Sequence, residues 1–413
     1  MRVRLALAAL ACVACACQRA PEPAAPAAPS ALSESPESPA PASTEDARFT
    51  LARRGALEGS GALQAWAFGA GGRVARVDRA GALSLEQFYA SAERGSWRVH
   101  GDVIESPDGV VGAAWAGPVA ATLHTGTRPS PEVPATDGVL NLWHLDAPTQ
   151  HDQVPLTGAP VDVFLDAERS RAWVLTRVGR EGRLAVVSLA EGEVGRSAFS
   201  ASVGRGPVSI TAHPASGQLA VISFDERAAY VFGLARPALL QRVALDARPA
   251  TALFGRDGAL LVAPANQAIA RTIDLDHGAD GQVNPLPSPM TRWALGADDA
   301  SVYGVAAGAS SVHRFAWPYL QERRVRDAWP EVSHRVLPIA VAATEAALFV
   351  ADAAPGASRL WALDPDTLEV RASVPLPATP ADVVAFDGDA LVVFPESGAV
   401  LRFGLVAEDA QGA

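Results

Sequence analysis

The side chains best suited to chemistry in this chain occupy a recurring position in its sequence. Six segments begin with a proline, from Pro160 to Pro380, and continue into an apolar run. The residues two positions after these prolines are mostly polar: Asp162, Ser209, Thr251, Thr291, Ala340 and Asp382. Carboxylate and hydroxyl oxygens can bind a metal ion or hydrogen-bond a small polar ligand. If the fold brings these positions into a ring, they form a candidate ligand site, and Arg292 stands beside them.

A second group of candidate residues lies in the stretch 314–335, which is rich in arginine and aromatic side chains. Arginine, tryptophan and tyrosine are the residues that contribute most often to protein interfaces. The stretch therefore offers a partner-binding surface, and the alternative is an insertion in an outer strand with buried aromatics. The candidate contact residues are Trp317, Tyr319, Arg323, Arg324, Arg326 and Trp329.

Sequence motifs of known catalytic chemistry are not found in this chain. There is no GxSxG elbow, HExxH helix, phosphate-binding loop or GxGxxG fingerprint. The eight histidines are scattered, and no pair has the spacing of metal ligands on a helix. We therefore predict no cofactor and no metal, and we favour a non-catalytic role over enzyme activity.

Composition limits the partners that the chain can bind. Of the 413 residues, 49% are hydrophobic and 19% are charged, a composition that can bury a core. The net charge of −11 repels phosphate backbones, which argues against nucleic acid as a partner.

The first 16 residues have the pattern of an export signal. A short basic stretch precedes an apolar run at 5–16, which is too short to span a membrane as a helix. All three cysteines lie at its end, and a run of small residues before a cysteine resembles the lipobox of bacterial lipoproteins. The resemblance implies lipidation of Cys17, with Cys15 and Cys12 as alternatives. An ordinary secretory signal with incidental cysteines is the competing interpretation.

Residues 17–46 are predicted to form a disordered tether after the lipid anchor. Proline, alanine and serine dominate this segment, which has too few large apolar side chains to fold. The lipoprotein resemblance implies an exported protein on the outer membrane, facing the periplasm, with display at the cell surface as an alternative. Contact with the membrane would be through the lipid alone.

Residues 47–408 consist of repeats that predict an all-β fold. Short apolar or alternating runs are separated by Gly, Asp and Pro turns, and the proline-led segments recur every 40 to 49 residues. Four strands per repeat predict a single β-propeller of eight blades, with seven as the alternative. The last repeat has three strands, so we expect the strand that starts near Arg48 to complete it and close the ring. Residues 409–413 are predicted to be a disordered tail.

The repeat at 351–370, with its Ala362-Leu363-Asp364 before a turn, resembles PQQ-type and YVTN-type propeller repeats. The segment 206–221 is similar to the start of a YVTN repeat, whereas WD40 signatures are absent. The resemblance implies a propeller fold. The PQQ-like repeat family includes non-enzymatic outer-membrane lipoproteins that scaffold envelope assembly, which implies an envelope protein or glycan as partner.

Two enzyme hypotheses compete with this interpretation. A metal-dependent, lactonase-like periplasmic hydrolase would require Asp162, Asp382 and a histidine to converge on one metal ion. A redox protein would hold a quinone-type cofactor, although the chain lacks the adjacent cysteine pair of quinoprotein dehydrogenases.

Overall fold

The computed structural model describes residues 49–407, apart from 60, 70–71, 80–82, 89–93, 99–109, 126–136, 145–150, 278–280 and 307. The predicted signal peptide, tether and C-terminal tail lie outside the described residues. The described chain folds into strands that form eight four-stranded antiparallel sheets. No helix within these ranges is long and apolar enough to cross a membrane.

The first four blades each use four consecutive strands. Blade 1 contains β2 (Leu63–Gly69), β3 (Arg73–Asp78), β4 (Leu83–Phe88) and β5 (Arg94–Arg98). Blade 2 contains β6 (Val110–Ala116), β7 (Val119–His124), β8 (Val139–His144) and β9 (His151–Pro155). Blade 3 contains β10 (Ala159–Asp166), β11 (Arg171–Val178), β12 (Glu181–Ser188) and β13 (Ser197–Arg205). Blade 4 contains β14 (Pro207–His213), β15 (Gln218–Ser223), β16 (Ala228–Gly233) and β17 (Leu239–Ala244).

The other four blades follow the same order until the last. Blade 5 contains β18 (Thr251–Phe254), β19 (Leu260–Ala263), β20 (Ile269–Ile273) and β21 (Gln282–Pro285). Blade 6 contains β22 (Met290–Leu295), β23 (Ser301–Ala306), β24 (Val312–Ala316) and β25 (Gln321–Arg326). Blade 7 contains β26 (Pro338–Ala343), β27 (Leu348–Asp352), β28 (Arg359–Leu363) and β29 (Val370–Pro375). Blade 8 contains β30 (Asp382–Phe386), β31 (Asp389–Phe394), β32 (Ala399–Ala407) and β1 (Phe49–Leu57).

The core lies between the blades, because each blade is covered on both faces by its neighbours. The second strands are mostly apolar and largely buried, and β23 and β31 are buried along their whole length. Each of the eight apolar clusters combines side chains of two neighbouring blades, including Leu57 and Val74 with Leu391 across the blade 8–blade 1 seam. The blades therefore form a closed ring, and the predicted eight-bladed propeller is confirmed over its seven-bladed alternative.

The N-terminal strand closes the ring, as the sequence predicts. β1 pairs antiparallel with β32 from Phe49↔Ala407 to Leu57↔Val400, with one irregularity between Arg53 and Gly55. The pairing gives blade 8 its fourth strand and covers an edge of β32 that would otherwise be open.

Buried ion pairs reinforce this closure. The Asp389 carboxylate accepts a hydrogen bond from Arg402 Nε at 2.6 Å, and both residues are buried. Arg54 of β1 reaches the same carboxylate, with 3.1 Å between its Nη1 and Asp389 Oδ1, and its guanidinium lies where a side chain at Gly404 would stand. One carboxylate therefore joins β31, β32 and the closing strand.

A second arginine connects blade 1 to blade 8. The buried Arg76 pairs with Glu86 within blade 1 and donates to the carbonyl oxygen of Gly398 in the β31–β32 turn. It also donates to the carbonyl oxygen of Glu58, just after β1, at 3.2 Å. The seam thus combines apolar contact with ion pairs and with hydrogen bonds to backbone carbonyls.

Candidate functional site

The innermost strands place one residue of each blade at the position predicted to line the channel. Six of them have a register shift at the same point, where one extra residue precedes this position, as between Pro160 and Asp162. The strand pairing assigns the position in blades 1 to 8 to Ala65, Gly112, Asp162, Ser209, Thr251, Arg292, Ala340 and Asp382.

Blade 6 departs from a count made from the prolines. Met290, rather than Pro289, begins its innermost strand, so Thr291 is the extra residue of the bulge and Arg292 takes the position of Asp162. The Thr291 hydroxyl donates back to the carbonyl oxygen of Val305 at 3.3 Å within the blade. The channel column therefore carries two carboxylates and one guanidinium.

Asp162 joins two blades through both of its carboxylate oxygens. Oδ1 accepts the N–H of Val163 at 2.8 Å, and Oδ2 accepts the N–H of Ile210 at 2.8 Å. Ile210 belongs to β14, the innermost strand of blade 4, which has no neighbour on its inner edge. The carboxylate therefore satisfies a backbone donor of the next blade that the sheet leaves open.

Asp382 makes the corresponding contacts at the ring seam. Its Oδ1 accepts the N–H of Val383 at 2.9 Å, and its carboxylate also accepts a side-chain hydrogen bond from Trp66 of blade 1. Trp66 follows the channel position of blade 1, as Ile210 follows that of blade 4. Asp162 thus links blade 3 to blade 4, and Asp382 links blade 8 to blade 1.

Burial gives both aspartates unusual acid–base behaviour. Loss of solvation raises the pKa of Asp162 above 3.8, and the hydrogen bonds from Ile210 and Val163 offset only part of that rise. Burial likewise raises the pKa of Asp382, against opposing contributions from Val383, Trp66 and the positive charge of Arg292. The favourable hydrogen bonds therefore do not fully replace the lost water.

These pKa shifts predict a pH-dependent contribution to stability of defined sign. Because the pKa of Asp162 is raised on folding, its contribution is complete below pH 3.8 and is lost as the pH rises through the folded-state pKa. Denaturant unfolding at a series of pH values should show wild type losing stability relative to Asp162→Asn across that window, and then a constant difference.

Asp274→Asn is the matched control, because the exposed Asp274 has its pKa lowered by His277. The stabilisation that Asp274 contributes is present above pH 3.8 and is lost as the pH falls through its folded-state pKa. The difference in stability between wild type and Asp274→Asn should therefore change with pH in the opposite direction. A carbon-13 titration that placed the Asp162 carboxyl at or below 3.8 would contradict the assignment.

The channel also contains an open cavity. The innermost strands of blades 6, 7 and 8 line a space of about 360 Å³ that includes Arg292, Ala340 and Asp382. The Thr251 hydroxyl is a buried oxygen without a hydrogen-bond partner, and Ser209 is half-buried. No group of three or more His, Cys, Asp or Glu side chains in the described residues could hold a metal ion. The convergence that the metal-dependent hydrolase requires is thus not found in this part of the chain.

The second predicted group divides into buried and exposed residues. Trp317 is buried and donates from Nε1 to Asp257 Oδ2 of blade 5 at 2.9 Å. Trp329 is buried, donates to the carbonyl oxygen of Ser310 and packs on Trp361 at 5.0 Å between ring centroids. Arg326 forms an ion pair with Glu331 and covers the Trp329 ring. These three residues have their contacts within the chain.

The exposed members lie on and beside the outer strand of blade 6. Arg323, Arg324 and Val325 of β25 are exposed, and Val325 retains 45% of its accessible surface. We call these three residues the blade 6 rim. Within the described ranges neither arginine has an ion-pair partner. Tyr319, in the turn before β25, is 67% exposed.

One polar network in blade 6 is not predicted by any sequence motif. His313 Nε2 lies 2.9 Å from Ser311 Oγ, and His313 Nδ1 lies 2.5 Å from Glu322 Oε1. The order of groups is that of an acyl-transfer triad, but Ser311 is only 8% exposed and the imidazole stacks on Phe315. We infer that this network helps to hold β24 against β25. A Ser-x-His pair, with Ser311 just before β24 and His313 within it, is its only sequence signal.

Comparison with known proteins gives matches in structure alone. No protein-family model matches the chain, and no curated protein matches it in sequence. BamB from Moraxella catarrhalis superposes with a TM-score of 0.59 at 14% identity, over 86% of this chain and 98% of that one. Sqt1 from Saccharomyces cerevisiae superposes with a TM-score of 0.62 at 10% identity, over 85% and 98%.

The shared feature is the β-propeller. Identities of 14% and 10% carry the fold and not the activity. The function of this chain must therefore be argued from its own surfaces.

Proposed function

We propose that this protein is a lipid-anchored, non-catalytic β-propeller that binds a protein or glycan partner in the cell envelope. The anchor is Cys17, the segment 17–46 is the tether, and the propeller begins at residue 47. The proposed location is the outer membrane, on its periplasmic side. The structural likeness to BamB from Moraxella catarrhalis supports the propeller part of this proposal, and the sequence pattern at residues 1–46 supports the anchor and the tether.

The observation that carries the proposal is the blade 6 rim. It presents two arginines and an apolar side chain on an outer strand whose far edge is unpaired. Arginine beside an apolar contact is typical of the residues that dominate binding energy in protein interfaces. Because the whole chain has a net charge of −11, an adjacent pair of exposed arginines that has no ion-pair partner among the described residues favours binding of an acidic protein surface at this strand.

The channel aspartates favour a binding role over catalysis. Both oxygens of Asp162 accept backbone hydrogen bonds, and Asp382 accepts hydrogen bonds from Val383 and Trp66. A carboxylate that accepts these hydrogen bonds helps to hold neighbouring blades together. This use of the two acids favours a structural role for them.

The proposal is tested by capture from detergent-solubilised envelopes of the producing cell, with the full lipidated chain as bait. Charge reversal of the rim, Arg323→Glu with Arg324→Glu, should reduce recovery of the partner at least tenfold, since an interface arginine is often worth 2 kcal/mol or more. The matched control, Arg180→Glu with Arg236→Glu, makes the same charge change at two other exposed arginines and should leave recovery unchanged.

The lipid anchor is tested with cysteine variants of the full chain. Cys17→Ser should move the chain from the membrane to the soluble fraction, whereas Cys15→Ser and Cys12→Ser should not. Equal recovery of one partner by the rim variant and wild type would overturn the rim assignment. A Cys17→Ser chain that stays with the membrane would overturn the anchor.

A further inference from the structure

A large cleft lies between blades 5 and 6, on the side of the propeller that carries the β18–β19 and β24–β25 turns. Its volume is about 630 Å³, within the range of small-molecule sites. Blade 5 contributes the turn at 257–259, the end of β20 and the residues that follow it, and Gln282. Blade 6 contributes Pro318 and Tyr319. None of the channel residues takes part.

The boundary between blades 5 and 6 is stabilised at the cleft by hydrogen bonds and by close packing of Trp317. Trp317 donates to Asp257 Oδ2 across the blade boundary, and Asp257 Oδ1 accepts the N–H of Ala259. The Trp317 ring lies against the backbone of Gly255, where a side-chain Cβ would be 2.3 Å from the ring. This packing holds the start of the β24–β25 turn that carries Tyr319.

The side chains that line the cleft include one aromatic ring and several exposed polar groups. Tyr319 is 67% exposed, more than any other large hydrophobic side chain in the described part of the chain. His277 Nδ1 donates a hydrogen bond to Asp274 Oδ2 at 2.8 Å, which orients the ring and turns Nε2 away from that carboxylate. The exposed side chains of Asp276 and Gln282 complete the set.

We propose that this cleft binds a neutral saccharide. An exposed tyrosine can stack on the apolar face of a sugar ring, and a carboxylate, an amide and an imidazole can hydrogen-bond its hydroxyls. Asp257, Asp274 and Asp276 give the cleft a negative charge, which disfavours acidic sugars. The inference deepens the glycan half of the proposed function and rests on a surface other than the blade 6 rim.

The test is ligand-observed NMR with saturation transfer from the full chain to three trisaccharides. Maltotriose and triacetylchitotriose are the neutral probes, and trigalacturonate is the acidic probe. We expect at least one neutral probe to bind with a Kd of about 1 mM, a typical starting affinity for a small open site. Trigalacturonate should bind at least tenfold more weakly than that neutral probe.

Variants at exposed positions connect the signal to the cleft. Tyr319→Ala and Asp276→Ala should each weaken binding at least fivefold, whereas Phe224→Ala, at an exposed aromatic in blade 4, should not change it. Each variant is checked for an unchanged unfolding midpoint. The Arg323→Glu, Arg324→Glu rim variant should keep its saccharide affinity, and Tyr319→Ala should keep its protein partner, so the two proposals fail separately. Absence of binding by both neutral probes up to 10 mM, or a Tyr319→Ala variant that binds like wild type, would overturn the inference.

Discussion

A chain that begins at residue 58 should be far less stable than a chain that begins at residue 47. The longer chain keeps β1, whose Leu51 and Leu57 are buried against blades 7, 8 and 1. Loss of two buried leucines alone costs about 3–6 kcal/mol. Since domains of this kind are stable by about 5–15 kcal/mol, the shorter chain should be partly or wholly unfolded at room temperature.

Urea unfolding of the two chains measures this difference as a change in midpoint. Removal of residues 1–46 should leave the midpoint of the full chain unchanged, because the predicted tether makes no part of the ring. A peptide of residues 47–58 added in trans should restore the shorter chain, because β32 keeps its open edge for it. Equal midpoints for the chains that start at 47 and 58 would contradict the closure.

Asp389→Ala should destabilise the propeller by about 3–5 kcal/mol. The substitution leaves Arg402, which is 6% exposed, as a buried charge without its carboxylate, and it releases Arg54 of the closing strand. The measurement is the free energy of unfolding from denaturant titration.

Two matched variants separate the buried charge from lesser effects. Asp389→Asn keeps an oxygen that can accept the hydrogen bond of Arg402 Nε, so it should cost less than the alanine variant. Asp387→Asn removes the charge of a half-exposed carboxylate 3.7 Å from the same guanidinium, while asparagine tolerates the positive φ of this turn position, so it should cost about 1 kcal/mol or less. An Asp389→Ala loss as small as that of Asp387→Asn would show that Arg402 finds other compensation.

The ring of blades could be predicted from the sequence because each blade repeats the same local pattern. Prolines and apolar runs every 40 to 49 residues predict four strands per unit, and the three-stranded last unit requires a strand from the other end. The pairing of Phe49 with Ala407 confirms that argument. The repeat spacing and the need for a fourth strand in the last unit were sufficient to predict the eight-bladed ring.

The contacts that hold the ring could not be predicted, because they join residues distant in sequence. Arg54 and Asp389 are 335 positions apart, and no local pattern marks them as a pair. The bulge in blade 6 begins at Met290, so the proline at 289 misplaces the channel residue by one. A one-residue offset in a strand exchanges its two faces, which is why spacing alone cannot decide such a position.

The surface of blade 6 shows the same division between local pattern and tertiary packing. The sequence indicates an interface from the number of Arg, Trp and Tyr residues between 314 and 335. In the fold Trp317 and Trp329 are buried between blades, whereas Tyr319, Arg323 and Arg324 are exposed. Burial depends on which residues of the β24–β25 turn and of the segment after β25 meet blade 5 or blade 7, and composition carries no information on that choice.

If the blade 6 rim is the binding surface, the outer strand of blade 6 contacts an envelope protein. This contact can be measured by photo-cross-linking in the producing cell, with a photoreactive amino acid at position 324 and, as control, at the exposed position 236 of blade 4. We expect a discrete cross-linked protein from position 324 that is absent from position 236. Absence of an adduct at 324, or the same adduct from both positions, would contradict it.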